Sequence, residues 1–333
     1  MRANANWSRC KFGISGFIAL TLLSWGATSS LGASNCSGTS VGFAPITDLG
    51  TATYQGFQGG LYPNGLNARP EGHEQAGLAI SQAIQPLNRA GRPSVQSGAI
   101  VLLSIGMSNT TQEFSTFMSM ANGQPDKNAK LTIIDGAQGG QSADKIANPS
   151  AQFWTVIDRR LSNAGVTPQQ VQIAWIKEAD ARPTLSFPED AQKLQRELKT
   201  IAQILKQRFP NIQLAYLSSR TYGGYASTDL NPEPYAYQSG FAVKWLIEEQ
   251  VNGASDLNYD RTKGEVKAPW LSWGPYLWAD GLKARSDGLI WECSDFRDDG
   301  THPSDSGRMK VAQLLLNFFK SDATSRAWFL KSP

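Results

Sequence analysis

Histidine occurs only twice in this 333-residue chain, and cysteine only three times. So few imidazoles and thiols cannot build a usual zinc site, so no metal is expected. Gly136, Gly139 and Gly140 lack the Lys-Ser/Thr of a phosphate-binding loop, and their spacing gives no dinucleotide fingerprint; no cofactor is expected either. A Gly-x-Ser-x-Gly elbow is missing as well, which argues against a common α/β-hydrolase. Charge of either sign is scarce in excess, the formal net charge being +3. Loss of a leader carrying Arg2, Arg9 and Lys11 would leave 28 basic and 28 acidic residues. That balance offers no footprint for nucleic acid and no basic membrane patch.

What is present begins with that leader. Three basic residues precede an apolar run from Phe12 to Trp25, and small residues follow to Ala33, as in a signal peptide over residues 1–33. A single membrane anchor is the alternative, but the run is short and broken by Gly13, Ser15 and Gly16, so export without stable membrane insertion is expected. The mature chain is then secreted or periplasmic. Cys10 leaves with the leader, and Cys36 and Cys293 remain as a candidate disulfide, or else as two separate thiols.

At 41% hydrophobic residues the chain can bury a large core, in one domain or two small ones, and one is expected. Residues 34–95 are rich in Gly, Ser, Thr and Asn and read as an irregular wrap with one helix over HEQAGLAISQAIQPLN. From 96 to 333 a regular pattern takes over. Short apolar runs at Val101–Ile105, Leu131–Ile134, Val171–Ile176 and Ile212–Leu217 read as buried parallel strands. Amphipathic segments lie between and after them. Phe114, Phe117, Met118 and Ala121 share one face, with Thr110 and Glu113 as a capping box; Leu194, Leu198, Ile201 and Leu205 share another; Met309, Ala312, Leu316 and Phe319 a third. Such alternation predicts an α/β domain, a three-layer α/β/α sandwich on a mainly parallel sheet. Residues 219–240 and 268–281 read as aromatic loops, either sugar-binding surfaces or packed covers.

Ligands of open α/β sheets bind beyond the carboxyl ends of the strands. The turns there read SIGMSNTTQEF, DGAQGGQSAD and WIKEADARP. Ser108 sits between a strand and a helix; alone it could be a cap, but a hydroxyl nucleophile needs a base, and His302, three residues after Asp299, is the candidate. His73 has no such context and reads as structural or solvated.

The ordered blocks GMSN, QGGQS, KEADA and DGTHPSDSG resemble those of the SGNH, or GDSL-type, hydrolases over about residues 98–320. Gly-x-Ser-Asn followed by Glu-x-Asp is closest to carbohydrate acetylesterases acting on acetylated xylan or sialic acid. The resemblance implies a flavodoxin-like fold and an esterase with Ser108 as nucleophile, His302 as base and Asp299 as its orienting acid. It implies the amides of Ser108 and Gly140 as oxyanion donors. Ile176 stands where the family places a third, side-chain donor, so Lys177 or another amide would substitute. Glu178 matches a family glutamate that in some members serves the histidine instead, leaving the acid open between Asp299 and Glu178. Asn109, Arg220, Tyr222, Trp273 and Trp278 are the candidate substrate contacts. The implied partner is an acylated carbohydrate or other small ester; a lipid ester or thioester, or a carbohydrate-binding protein that has lost efficient chemistry, are the alternatives.

Overall fold

The computed structural model describes residues 33–331, so all but the last residue of the expected signal peptide lies outside the described residues. The described residues belong to one compact unit. Its centre is a five-stranded parallel sheet: β1 (Ile100–Gly106), β2 (Leu131–Ile134), β3 (Val171–Lys177), β4 (Leu214–Leu217) and β5 (Trp270–Trp273), in the order β2-β1-β3-β4-β5. Every residue of β1, β3, β4 and β5 is buried, as a sheet covered on both faces requires. The order is that of the flavodoxin-like doubly wound fold, with its switch point between β1 and β3. Ser108 stands just past the end of β1.

Helices α1 (Glu71–Ala83), α2 (Ser108–Asn122), α3 (Gln152–Asn163), α4 (Glu189–Arg208), α5 (Tyr235–Val251) and α6 (Asp305–Ser321) complete the layers. α2 packs against α6, and α4 against α5. These two pairs cover opposite faces, as right-handed crossovers that reverse direction after β2 demand. The three-layer α/β/α fold is therefore the observed one. Among the described residues no helix is long and apolar enough to cross a membrane.

Several local expectations change. Residues 268–281 do not form a free loop, because Trp270–Trp273 is the edge strand β5. Likewise the second aromatic segment ends in helix, α5 starting at Tyr235. Met309 does not join the inner face of α6; it is 49% exposed, whereas Ala312, Leu316 and Phe319 are buried. The capping box at Thr110 is also absent: α2 begins at Ser108, Thr110 Oγ1 donates to the carbonyl of Lys177 at 2.7 Å, and Glu113 pairs with Lys177.

Residues 33–94 carry α1, a short helix at Ile46–Leu49 and a hairpin of Thr53–Tyr54 with Phe57–Gln58. This segment is fastened to the far end of the chain. Asp280 accepts from the amides of Val41 and Gly42 and from Ser40 Oγ, and Cys36 is disulfide-bonded to Cys293. His73 is structural: it is 5% exposed, its Nε2 lies 2.7 Å from the carbonyl of Leu271, and its ring stacks on Trp270.

Candidate active site

The loop from Cys293 to Pro303 folds tightly because each end is tied. Phe296 bridges Pro303, Arg297 N donates to His302 O at 2.8 Å, and Gly300 N to Arg297 O at 2.7 Å. Gly300 has φ +62°, and a Cβ built there would stand 1.8 Å from the carbonyl of Tyr225, so only glycine fits this turn. Asp299 and His302 thereby meet across a single turn. His302 Nδ1 lies 2.5 Å from Asp299 Oδ2, while Asp299 Oδ1 accepts from the amides of Thr301 and His302, each at 2.9 Å. Burial raises the Asp299 pKa, but the ring and the two amides outweigh it and bring it down to about 2.

The other imidazole nitrogen faces the nucleophile candidate. Ser108 Oγ is 2.7 Å from His302 Nε2, giving one hydrogen-bonded chain from hydroxyl to imidazole to carboxylate. Ser108 and His302 are half-buried and reachable from solvent. The hydroxyl also stands at the N-terminus of the 15-residue α2, where the helix dipole favours developing negative charge.

The turn after β2 lies alongside. A Cβ on Gly139 would be 3.8 Å from Ser108 Cβ, and Gly140 adopts φ +72°. The amides of Ser108, Gly139 and Gly140 make no hydrogen bond among the described residues, so they remain available to an incoming oxygen. The turn is held in place from behind. Asp135 accepts from Ser104 Oγ at 2.6 Å and from Thr111 Oγ1, Arg160 Nη1 donates to the carbonyls of Asp135 and Ala137, and Gln138 N donates to Gly106 O at 2.9 Å. Sequence reasoning had not found Asp135 or Arg160; an acid opening the DGAQGG turn was the available signal.

Lys177 is not placed as an oxyanion donor. Its ammonium is buried and bound by both oxygens of Glu113 at 2.6 Å, an ion pair inside the protein. Burial lowers its pKa below the ordinary lysine value, against the pull of Glu113. Ile176 is buried in the sheet beside it. Glu178 does not meet His302 either: Oε2 accepts from the amide of Ala179 at 3.1 Å, and Oε1 is buried without a partner. Burial pushes its pKa well above the usual carboxylate range.

Three of the candidate substrate contacts are closed off. Tyr222, Trp273 and Trp278 are 1%, 2% and 0% exposed. Their polar atoms are spent inside the fold, on the carbonyl of Gly38, the carbonyl of Leu61 and Glu233 Oε1 respectively. The aromatic loops thus pack inward, because burying an indole whose N–H is satisfied outweighs leaving it as a platform. Glu233, missed in the sequence, organises this cover, binding the amides of Gly223 and Tyr237 as well as Trp278. Asn109 is buried, its Oδ1 accepting from Thr110 N at 2.9 Å. Arg220 is buried just past the end of β4.

No protein-family model matches the chain, and no curated protein matches it. Solved structures give distant likenesses. An Arabidopsis thaliana protein is 10% identical, with a TM-score of 0.34 over 63% of this chain and 67% of that one. A gut microbial diltiazem-metabolizing enzyme is 14% identical, with a TM-score of 0.37 over 71% of this chain but 48% of that one, so the chain spans about half its length. The periplasmic domain of a lipopolysaccharide acetyltransferase from Salmonella ser. Paratyphi A is 11% identical, with a TM-score of 0.36 over 74% and 94%. Likeness of this degree says nothing of chemistry or substrate.

Proposed function

We propose that the chain is an exported serine esterase that removes a small acyl group, acetyl above all, from a carbohydrate or similar polar alcohol. The observation that carries this reading is the continuous Ser108–His302–Asp299 chain, with hydroxyl to imidazole at 2.7 Å. In the proposed reaction Ser108 Oγ attacks the acyl carbon as His302 Nε2 takes its proton. The tetrahedral oxyanion is met by the amides of Ser108 and Gly140, donors worth ~2.7–4 kcal/mol each at such sites. His302 then gives the proton to the leaving alcohol, an acyl-serine remains, and a water activated by the same imidazole releases the carboxylic acid.

A small acyl group on a polar alcohol is favoured because the polar Asn109 follows Ser108 in the chain and Gly139 lies against it. The carbohydrate itself rests on the motif resemblance, since the buried aromatic residues no longer support it. Residues 96–333 are assigned as the catalytic domain, residues 34–95 as its brace and residues 1–33 as the signal peptide. Export is supported by the Cys36–Cys293 disulfide, which persists in oxidising compartments.

A second reading, a carbohydrate-binding protein with weak chemistry, is favoured by one observation: the third donor position holds Ile176, and the neighbouring ammonium is bound to Glu113. A fluorophosphonate probe separates the two. The esterase is labelled at Ser108, and both Ser108→Ala and His302→Ala abolish labelling; an unlabelled, folded wild-type protein leaves the binding reading.

A further inference from the structure

Just past β4, Arg220 carries its charge into the protein. The residue is 4% exposed, Nε is sealed from solvent without a partner, and no guanidinium nitrogen makes a hydrogen bond or ion pair among the described residues. Only its main chain is held, N donating to Ser239 Oγ at 3.1 Å and O accepting from Ser219 Oγ at 3.3 Å. An unpaired buried charge is costly, and a guanidinium does not shed its proton.

Four carboxyl groups act on this charge: Glu113, Glu178, Glu233 and Asp299. None makes a hydrogen bond to it. Glu113 gives both oxygens to Lys177; Glu233 holds Gly223 N, Trp278 Nε1 and Tyr237 N; Asp299 holds His302 and Thr301 N; Glu178 accepts from Ala179 N and keeps Oε1 buried without a partner. These same residues fix where Arg220 lies. Glu113 is on the helix that begins at Ser108, Glu178 directly follows the strand between β1 and β4, and Asp299 holds the histidine. The following loop is fastened to the histidine loop, Ser227 N donating to Asp299 O at 3.1 Å.

We propose that Arg220 recognises a carboxylate carried by the ester substrate, which supplies the acceptor that the protein withholds. The proposal rests on the esterase reading of Ser108. A planar fork of parallel N–H groups matches the two oxygens of a carboxylate, and a charge-assisted pair is stronger than a neutral one. The carboxylate can belong to the acyl half, as in a dicarboxylic monoester, or to the alcohol half, as in an acetylated uronic acid.

Two matched pairs test this on the purified mature protein: monoethyl succinate against ethyl butyrate, and acetylated galacturonate against acetylated galactose. In at least one pair the acidic member is expected to be preferred in kcat/KM by about 10-fold or more. Arg220→Lys and Arg220→Gln bring that ratio toward unity. Equal turnover within both pairs by the wild-type protein overturns the proposal while leaving the esterase standing. Should the variants not fold, succinate and galacturonate are expected to inhibit wild-type turnover of p-nitrophenyl acetate where galactose does not; inhibition by inorganic phosphate alone overturns the choice of carboxylate. If no ester is hydrolysed, calorimetry decides separately. Binding of succinate or galacturonate by the wild type keeps the carboxylate site and discards the esterase, and no binding of either discards both.

Discussion

Two acidic residues stand at the same edge of the sheet, one in the histidine loop and one just past the end of β3, and the protein shifts their pKa values in opposite directions. Asp299 receives three donors, from the imidazole and two amides, and stays ionised to about pH 2. Glu178 receives one amide, is fully enclosed, and has its pKa pushed well above the usual carboxylate range by burial. Both are candidates for the histidine's partner. The number of donors that reach the carboxylate, set against its depth, decides which one can stabilise an imidazolium. Both acids act on the charge of Arg220, and neither makes a hydrogen bond to its side chain.

The sharpest way to break this comparison is to exchange the polar character of each acid without changing its shape. Asp299→Asn removes the charge beside His302 Nδ1 and is expected to lower kcat on p-nitrophenyl acetate by ~10³–10⁴-fold, with little change in KM. A variant retaining near-wild-type turnover would assign the role elsewhere. The low pKa gives a second readout. Because the folded value of about 2 lies below the ordinary 3.8, this carboxylate stabilises the fold above pH 3.8, and that contribution is lost as pH falls through 2. Activity lost between pH 4 and 7 therefore belongs to another group.

Much of the site could be read from the sequence because its parts are local. Asp299, Gly300 and His302 share one turn, and Ser108 lies at a strand-to-helix junction that periodicity marks. Contacts across the fold could not be read. Glu113 and Lys177 are 64 residues apart, and Glu113 looked like part of a helix cap because its spacing from Thr110 is that of a capping box. The edge strand β5 reads WLSW among prolines and aromatics, which hides alternation. Helix α5 is buried over most of its length, so no polar stripe marks it. Composition also fails to tell an aromatic platform from an aromatic core: Trp273 and Trp278 differ from sugar-binding rings only in finding carbonyl and carboxylate partners inside.

The ion pair beneath the site supplies the next test. Lys177→Ala leaves Glu113 buried without its cation, and breaking such a pair costs about 3–5 kcal/mol. The expected result is a lower urea midpoint at unchanged slope, which Glu113→Leu combined with Lys177→Met largely restores. A folded Lys177→Ala protein of wild-type stability whose kcat has dropped ~100-fold would return the lysine to the oxyanion site.

The smallest effect is expected at Glu178. Glutamine copies the side chain in shape and still accepts from Ala179 N, so Glu178→Gln should leave kcat within about threefold of wild type. Stability carries the signal instead. The folded protein keeps this proton above the ordinary value of 4.5, where the unfolded chain has released it, so the folded state binds more protons and wild-type stability declines as pH rises from 4.5 toward the raised value. Glutamine has no proton to release. The Tm of Glu178→Gln relative to wild type should therefore climb as pH rises above 4.5. A constant difference would mean that Glu178 is ionised, in which case it neutralises Arg220 and the contrast between the two acids disappears.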